Sequence, residues 1–359
     1  MRVAVAGAGA FGKNHLRVYR ELETAGLGVA LVAALEPNPA RAAETAAKYS
    51  IPVFSTADEL LAFDLHLDAA TVAVPTVHHH AVASVLLDGG LDLLVEKPLA
   101  ASLAEADDLI DRADRGKRIL QPGHLERFNP AILTAQPRLR RPMFFESHRL
   151  SIFTPRALDV DVVLDLMIHD LDIVLTFANS PVSEVRAVGL PILSPKVDIA
   201  NVRVEFESGC VANFTASRVS TERVRKLRYF EPRQYVSIDY ARQDLLVIRL
   251  DGAGAINLPP EIAALIASGK ADPGLLAKLA SAGAGGPAPG LSFVKPEVTP
   301  GEPLRLEIQS FLDAVRTRRE PRVTARQGRN ALALALEIQA TMAAHAHRAG
   351  LDDFFLPGA

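Results

Sequence analysis

The sequence is poor in the features that mark several classes of protein. Cys210 is its only cysteine, which excludes an internal disulfide and fits a reducing compartment. It has no apolar run of roughly eighteen residues, so we expect no membrane-spanning helix. The formal net charge of −3 indicates no basic surface, so nucleic acid is not an expected partner. A strand pattern begins at the N-terminus, so we also expect no signal peptide and a cytoplasmic protein.

The length and composition are those of an ordinary soluble protein with two domains. The chain has 359 residues, of which 49% are hydrophobic and 23% are charged. This length is large for one domain and sufficient for two hydrophobic cores.

A glycine-rich turn between a strand and a helix is the first functional signal. Val3–Ala6 predicts a strand, Phe11–Leu22 predicts an amphipathic helix, and a G-x-G-x-x-G pattern joins them. Gly7 permits a tight turn, Gly9 lets the backbone approach a pyrophosphate, and Gly12 allows close helix–strand packing. The helix N-terminus attracts phosphate groups. The pattern predicts a dinucleotide site whose loop residues are Gly7, Gly9, Ala10, Phe11 and Gly12.

An acidic residue after the second strand indicates which dinucleotide binds. Val29–Leu35 predicts a strand that ends on Glu36, whose carboxylate can accept hydrogen bonds from the adenine ribose hydroxyls. The same carboxylate would repel a 2′-phosphate, so the sequence favours NAD. Arg41 can pair with a 2′-phosphate, which leaves NADP open.

Two further strands end in polar residues suited to a ligand site. Ala69–Val74 is followed by a proline and a threonine, and Leu91–Val95 by Glu96-Lys97-Pro98. Ligands of open α/β sheets bind beyond the carboxyl ends of the strands. Pro98 lacks an N–H group and fixes the backbone next to the lysine. We therefore expect cofactor contacts from Pro75, Thr76, His79, Glu96 and Lys97.

The three histidines at positions 78–80 do not predict a metal site. Neighbouring residues of a helix point in different directions, and no cysteine or second histidine cluster is near in the sequence.

The alternation of elements divides the chain. Strands and helices alternate over residues 1–124, which predicts an α/β Rossmann domain with a doubly wound parallel sheet. Over residues 125–359 strands follow one another without helices, which predicts an α+β domain with a large, mostly antiparallel sheet. We expect a mobile loop at Ala280–Gly290 and helices at Leu304–Arg316 and Ala331–His345.

One helix that interrupts the second sheet carries a polar stripe. Within Asp161–Ile173, Asp165 and His169 are four residues apart and Asp172 follows three residues later, so one helical face bears all three. A histidine satisfied within the core by a carboxylate is one interpretation. The other is that His169 is a general base oriented by Asp165.

The nucleotide site, Lys97 and His169 together suit the oxidation of an alcohol. A nicotinamide cofactor takes a hydride from the carbon, and the hydroxyl proton needs a base. We expect His169 to accept this proton and Lys97 to hydrogen-bond the same oxygen. The two roles can also be exchanged, with Lys97 as the base.

The combined motifs resemble the Gfo/Idh/MocA (glucose–fructose oxidoreductase/inositol dehydrogenase) family from Arg2 to about His345. The matching motifs are Gly7-x-Gly9-x-x-Gly12, Pro75-Thr76-x-x-His79, Glu96-Lys97-Pro98, Arg127-Phe128-Asn129-Pro130 and Asp165-x-x-x-His169. The resemblance implies a Rossmann domain followed by an α/β domain whose open sheet forms oligomer contacts, either in a homodimer or in a homotetramer. It also implies a catalytic Lys97, Asp165 and His169. Met167 departs from the glycine found in many members.

Segments around 123–130, 159–170, 198–201 and 215–218 resemble the family's UDP-N-acetylglucosamine 3-dehydrogenase branch. This resemblance implies oxidation of the sugar 3-hydroxyl, followed by an aminotransferase that makes a 2,3-diamino sugar for lipid A. A diphosphate needs cationic partners, and arginine suits phosphate geometry, although each arginine could equally form a surface ion pair. The expected substrate-binding residues are Lys97, His124, Arg127, Asn129, Arg149, Asp165, His169 and Arg218.

Three alternatives stay open at the level of sequence. The substrate could be inositol or a free sugar. The chain could be a non-catalytic sensor of NAD or a sugar nucleotide, because fold does not fix function. A purely structural oligomer has the least support.

Overall fold

A computed structural model describes residues 1–154, 160–250, 291–351 and 354. The chain forms two compact units, the first made of residues 1–128 and 301–336 and the second of residues 129–300 and 337–359. The predicted boundary at 124/125 differs from this division, because residues 301–336 group with the nucleotide-binding half. The predicted loop Ala280–Gly290 lies outside the described residues.

The first unit is built on a six-stranded sheet in the order β3-β2-β1-β4-β5-β6, and every adjacent pair is parallel. Short apolar strands form it because parallel strands are buried on both faces. This order is that of a dinucleotide-binding doubly wound sheet, as the sequence predicted. The strands are β1 Arg2–Ala6, β2 Ala30–Leu35, β3 Val53–Phe54, β4 Ala69–Val72, β5 Asp92–Glu96 and β6 Leu120–Gly123.

Helices connect these strands in sequence. Amphipathic sequences form them, and their apolar faces pack on the sheet. They are α1 Gly12–Thr24, α2 Pro39–Tyr49, α3 Ala57–Ala62, α4 His79–Asp88 and α5 Leu103–Gly116.

The second unit contains an eight-stranded sheet in the order β14-β13-β12-β11-β7-β10-β9-β8. Its adjacent pairs are antiparallel except β7–β10, which is parallel. The predicted mostly antiparallel sheet is therefore confirmed. The strands are β7 Phe144–Leu150, β8 Val182–Leu190, β9 Ile199–Phe206, β10 Val211–Ser217, β11 Val224–Glu231, β12 Gln234–Asp239, β13 Asp244–Leu250 and β14 Leu291–Val294.

Short helical segments cover one face of this sheet. They are α6 Pro130–Ala135, a π-helical segment Val163–Met167, and α7 Ile168–Ala178. Phe177 of α7 packs on the sheet, with ring centroids 6.5 Å from Phe145 and 6.3 Å from Tyr229. These contacts fix α7, and the π-helical segment before it, against the sheet.

Two helices near the C-terminus follow the second sheet, α8 Pro303–Thr317 and α9 Ala325–Arg348. The apolar side chains of α8 lie in the same hydrophobic core as Val3, Leu22 and Leu94 of the first unit. The unit boundary falls within α9, after Leu336. In the described residues, no helix combines the length and apolarity needed to cross a bilayer.

Candidate active site

The glycine-rich turn has the geometry that a dinucleotide requires. Gly7 has φ +97°, and a Cβ atom there would lie 2.6 Å from the carbonyl oxygen of Ala73. A Cβ atom on Gly12 would lie 1.9 Å from the carbonyl oxygen of Gly7, so a side chain cannot be accommodated at either position. Gly9 has no atom within 4 Å of its Cβ position, which leaves its backbone open to a pyrophosphate. Phe11 precedes α1 without a side-chain cap, so no side chain occupies the helix N-terminus, whose partial positive charge suits a phosphate.

Glu36 links the end of β2 to the glycine-rich turn. Its carboxylate accepts hydrogen bonds from the N–H groups of Ala8 at 3.0 Å and Asn38 at 2.9 Å, and from Arg41 at 2.9 Å. Burial alone would raise the pKa of Glu36, but these three hydrogen bonds hold it below its ordinary value. Arg41, the residue that could pair with the 2′-phosphate of NADP, is therefore already ion-paired with the carboxylate of Glu36. The turn, the uncapped helix and this carboxylate fit NAD.

Lys97 lies directly after β5, where the sequence predicted it. Glu96 before it is buried, whereas Lys97 is partly exposed, and the Lys97–Pro98 peptide bond is cis. Pro75 is exposed and Thr76 partly exposed at the end of the neighbouring strand, β4. Adjacent parallel strands end at the same edge of a sheet, so these residues share the edge where ligands of such sheets bind.

His79 is buried, and both of its ring nitrogens face backbone carbonyl groups. Nδ1 lies 2.9 Å from the carbonyl oxygen of Pro98, and Nε2 lies 2.9 Å from that of Val74. Burial lowers the pKa of His79, and the carbonyl contacts and the charge of Glu96 oppose this only in part. The ring therefore lies between the loop after β4 and the loop after β5, and in its neutral form it donates to one of these two carbonyl groups. Direct contact with a cofactor, expected from the sequence, stays a prediction.

His15 is a residue that the sequence did not single out. It lies on α1 with no exposed surface, and its Nε2 atom lies 2.7 Å from Oε1 of Glu96. The other carboxylate oxygen of Glu96 accepts the backbone N–H of Lys97 at 3.3 Å. One polar residue three positions after the last glycine carries no periodic signal, so only the structure identifies this contact.

In the second unit, the helix predicted to carry the polar stripe begins with the π-helical segment. Asp161 opens it, because its carboxylate accepts the N–H groups of Val163 at 2.9 Å and Leu164 at 3.0 Å. Asp165 lies within the π-helical segment and His169 in the first turn of α7, and both are partly exposed. Asp172, expected on the same face, is buried. π-helical turns occur frequently at functional sites.

Arg149 on β7 forms a buried ion pair next to His169. Its side chain is 4% exposed and donates to both carboxylate oxygens of Asp170, at 2.7 and 3.1 Å. The guanidinium also lies 5.0 Å from the centre of the Tyr240 ring. A bidentate arginine–carboxylate pair has fixed geometry, so it anchors the start of α7 to the sheet.

Arg218, after β10, forms a similar buried contact. It donates to Asp198 at 2.6 Å, to the carbonyl oxygen of Val160 at 2.8 Å and to the Ser194 hydroxyl at 2.9 Å. The structure thus gives Arg149 and Arg218 structural partners, and their contact with a diphosphate stays a prediction.

The other predicted substrate-binding residues are also buried. The amide of Asn129 donates to the carbonyl oxygen of Tyr240 at 3.0 Å and accepts from the N–H of Ala131 at 3.1 Å, which caps α6. Arg127 is 3% exposed and donates to the carbonyl oxygen of Arg322 at 3.4 Å. His124 is 1% exposed. Their binding roles stay predictions.

Each unit therefore presents partly exposed polar groups suited to proton transfer. Lys97 belongs to the unit with the dinucleotide site, and Asp165 and His169 belong to the second unit. Among the described residues, no three histidine, cysteine, aspartate or glutamate side chains converge as metal ligands would.

Family models match both parts of the chain. Residues 1–124 match the model described as an oxidoreductase family with an NAD-binding Rossmann fold. Residues 132–233 match the GFO/IDH/MocA C-terminal domain. The first match supports NAD as the cofactor, in agreement with the glycine turn and Glu36.

Individual proteins are similar to this chain over different lengths. UDP-N-acetylglucosamine 3-dehydrogenase of Acidithiobacillus ferrooxidans is 33% identical, with 97% of this chain and 99% of that protein aligned. A solved structure of that enzyme has a TM-score of 0.80 and 32% identity, and the match covers 96% of this chain and 98% of that chain. The NAD-dependent scyllo-inositol 2-dehydrogenase of Bacillus subtilis is 28% identical, with 61% of this chain and 68% of that protein aligned.

Proposed function

Since the chain belongs to the GFO/IDH/MocA oxidoreductase family, we propose that it oxidises the 3-hydroxyl of UDP-N-acetylglucosamine with NAD. The observation that carries this proposal is the relative of that activity, which matches nearly the whole length of both chains. The inositol dehydrogenase relative matches a smaller share of this chain. The product would be a 3-keto sugar nucleotide.

The roles proposed for the side chains follow from the chemistry of an alcohol. When bound, the nicotinamide ring accepts a hydride from the carbon that bears the hydroxyl group. His169 takes the hydroxyl proton, and Asp165 stabilises the imidazolium that results. Lys97 donates a hydrogen bond to the same oxygen and stabilises the negative charge that develops on it. The exchanged assignment, with Lys97 as the base, uses the same residues.

The product suggests the next reaction. A ketone on a sugar nucleotide is a substrate for an aminotransferase, which would yield a 2,3-diamino sugar of the kind used in lipid A. We expect this step to follow in the cell. Two further expectations accompany the proposal: assembly as a homodimer or homotetramer, and a cytoplasmic location. Light scattering and cell fractionation test the last two.

A substrate comparison tests the proposal directly. The purified protein is mixed with NAD and UDP-N-acetylglucosamine, with hydroxylamine present to trap the ketone, and NADH absorbance is followed. We expect NADH to form with UDP-N-acetylglucosamine and not with free N-acetylglucosamine, because the diphosphate supplies much of the binding. Mass spectrometry of the trapped oxime identifies the oxidised carbon. Oxidation of the sugar at carbon 4 or 6 would overturn the proposed position.

A second candidate is an inositol or free-sugar dehydrogenase. The similarity to the Bacillus subtilis inositol enzyme favours it, and so do Arg149 and Arg218, whose guanidinium groups bind carboxylates of the protein. Turnover of myo-inositol, with none of UDP-N-acetylglucosamine, would select this candidate.

A further inference from the structure

We propose that His15 and His79 are positioning residues for Lys97, which they hold through the residues directly before and after it, Glu96 and Pro98. His15 acts through the carboxylate of Glu96, and His79 acts through the carbonyl group of Pro98. This inference rests on the proposed function, in which Lys97 contacts the substrate oxygen.

The first support comes from the side of α1. Nε2 of His15 lies 2.7 Å from one oxygen of Glu96, and the other oxygen accepts the N–H of Lys97 at 3.3 Å. Both side chains are buried, with His15 0% and Glu96 7% exposed, so water cannot replace these bonds easily. α1 is the helix that begins at the glycine-rich turn. The contact therefore fixes Lys97 relative to the element that carries the cofactor phosphates.

The surroundings of Glu96 restrict its carboxylate to this position. A Cβ atom on Gly123 of β6 would lie 2.9 Å from Cδ and 3.0 Å from Oε1 of Glu96. Glycine at this position therefore leaves the space that the carboxylate fills. Among the described residues, Nδ1 of His15 has no hydrogen-bond partner. A proton on Nε2 lets the ring donate to Glu96 and leaves no buried N–H group without an acceptor.

The second support comes from the side of α4. His79 is 1% exposed at the start of this helix, and its ring lies between the carbonyl oxygens of Pro98 and Val74, at 2.9 Å from each. A neutral ring donates to one of the two, and the proposal places its proton on Nδ1, which faces Pro98. The ring thus lies between the residue after Lys97 and the loop that follows the neighbouring strand, β4. The two histidines thus hold Lys97 from two different helices, His15 through the residue before it and His79 through the residue after it.

Substitutions of His15 test the first contact. His15→Ala should lower kcat by about 100-fold, because a misplacement of about 1 Å costs that much in an oriented reaction. The dissociation constant for NADH, measured by fluorescence, should stay unchanged. His15→Gln carries an amide nitrogen near the position of Nε2 and should restore most of kcat. Equal kcat values for the alanine and glutamine variants, or a loss confined to NADH binding, would overturn the proposal.

His79 allows its two contacts to be separated. His79→Asn places an amide near the position of Nδ1 and can keep the bond to Pro98, whereas His79→Gln places one near Nε2, where it can donate to Val74 and not to Pro98. We expect kcat to be higher for His79→Asn than for His79→Gln, with similar melting temperatures. The reverse order would overturn the role of the Pro98 contact. His78→Ala is the matched control, since His78 is the exposed histidine next to His79.

A measurement without substrate separates this inference from the proposed function. Lys97 is partly exposed, so its reductive methylation can be followed by mass spectrometry in the NAD-bound protein. The rate should differ from wild type in His15→Ala and His79→Gln and match wild type in His78→Ala. Identical rates in all four proteins would overturn the positioning role. If the wild type oxidises no sugar nucleotide or polyol, the proposed function fails, whereas the methylation rates still decide the positioning role.

Discussion

At the scale of single residues, we expect cofactor choice to depend on Glu36 and Arg41. Glu36→Ser removes the carboxylate expected to bind the ribose hydroxyls and releases Arg41 from its 2.9 Å contact. We expect kcat/KM to fall for NAD and to rise for NADP, each by about 10–100-fold, the value of one hydrogen bond to a charged group. Kinetics with both cofactors measure this. Arg41→Ala is the control and should leave kcat/KM for NAD nearly unchanged. An unaltered NAD preference in Glu36→Ser would contradict the assignment.

The proposed chemistry depends on Lys97 and His169. Lys97→Met removes the ammonium group and keeps the apolar stem, and His169→Ala removes the proposed base. Each should lower kcat by about 10²–10⁴-fold, the usual contribution of a positioned acid or base. NADH binding, followed by fluorescence titration, should remain close to wild type because neither residue holds the phosphates. A Lys97→Met enzyme with normal kcat would refute the scheme.

Residues that follow a sequence pattern could be predicted, and residues defined only by a tertiary contact could not. The glycines and Glu36 have fixed spacing around β1 and β2, so the sequence alone predicts them as NAD-binding residues. His15 carries no such signal, since its partner Glu96 is eighty-one positions away. The sequence identifies Arg149 and Arg218 as cations, but only the structure shows that Asp170 pairs with the first and Asp198 with the second.

At the scale of elements, the strands of the second sheet follow their alternating patterns closely. The parallel pairing of β7 with β10 was not predicted, because pairing direction depends on the order of strands in space. The helix through Asp165 was predicted, but its π-helical segment was not. A π-helical turn replaces i→i+4 bonds with i→i+5 bonds, and apolar periodicity alone does not distinguish the two.

The ion pair between Arg149 and Asp170 should stabilise the position of α7. Removing one partner of a buried pair leaves an uncompensated charge, so Arg149→Met should lower the free energy of unfolding by about 3–5 kcal/mol. The double variant Arg149→Met/Asp170→Leu should recover much of this loss, because apolar replacement of both partners is often neutral. Urea denaturation measures both. If instead both variants unfold like wild type and raise only KM for the UDP-sugar, the predicted diphosphate contact would be supported.

The contact between Asp198 and Arg218 should make the second unit sensitive to acid. Burial alone would raise the pKa of Asp198, but hydrogen bonds from Arg218, Ser194 and two backbone N–H groups hold it well below its ordinary value. A lowered folded pKa gives stability that is present above the unfolded pKa, about 3.9, and lost as pH falls through the folded pKa. Asp198→Asn should therefore lower the free energy of unfolding at neutral pH. The difference in this free energy between variant and wild type should shrink below about pH 4. Urea midpoints over this pH range measure the effect, and a constant difference would contradict it.

At the scale of the whole molecule, periodicity identified α8 but not the core to which it contributes. The sequence placed residues 125–359 in one domain, because strands and helices after Gly123 form a continuous series. The structure groups residues 301–336 with residues 1–128. The sequence of an amphipathic helix shows that one face is buried but not which element it packs against. The packing of Leu304, Ile308 and Phe311 with the first sheet was needed to assign α8 to the first unit.

This division predicts which fragments of the chain can bind NAD. Five apolar side chains of α8 lie in the core of the first unit: Leu304, Ile308, Phe311, Leu312 and Val315. Burying each contributes about 1.5–3 kcal/mol, and together they are comparable with the net stability of a domain, about 5–15 kcal/mol. Residues 1–124 alone should therefore fail to fold, whereas residues 1–128 joined by a flexible linker to 301–336 should melt cooperatively and bind NADH. Circular dichroism and NADH fluorescence measure both properties. Wild-type NADH affinity in the fragment 1–124 would show that α8 is dispensable to the fold of the nucleotide-binding unit.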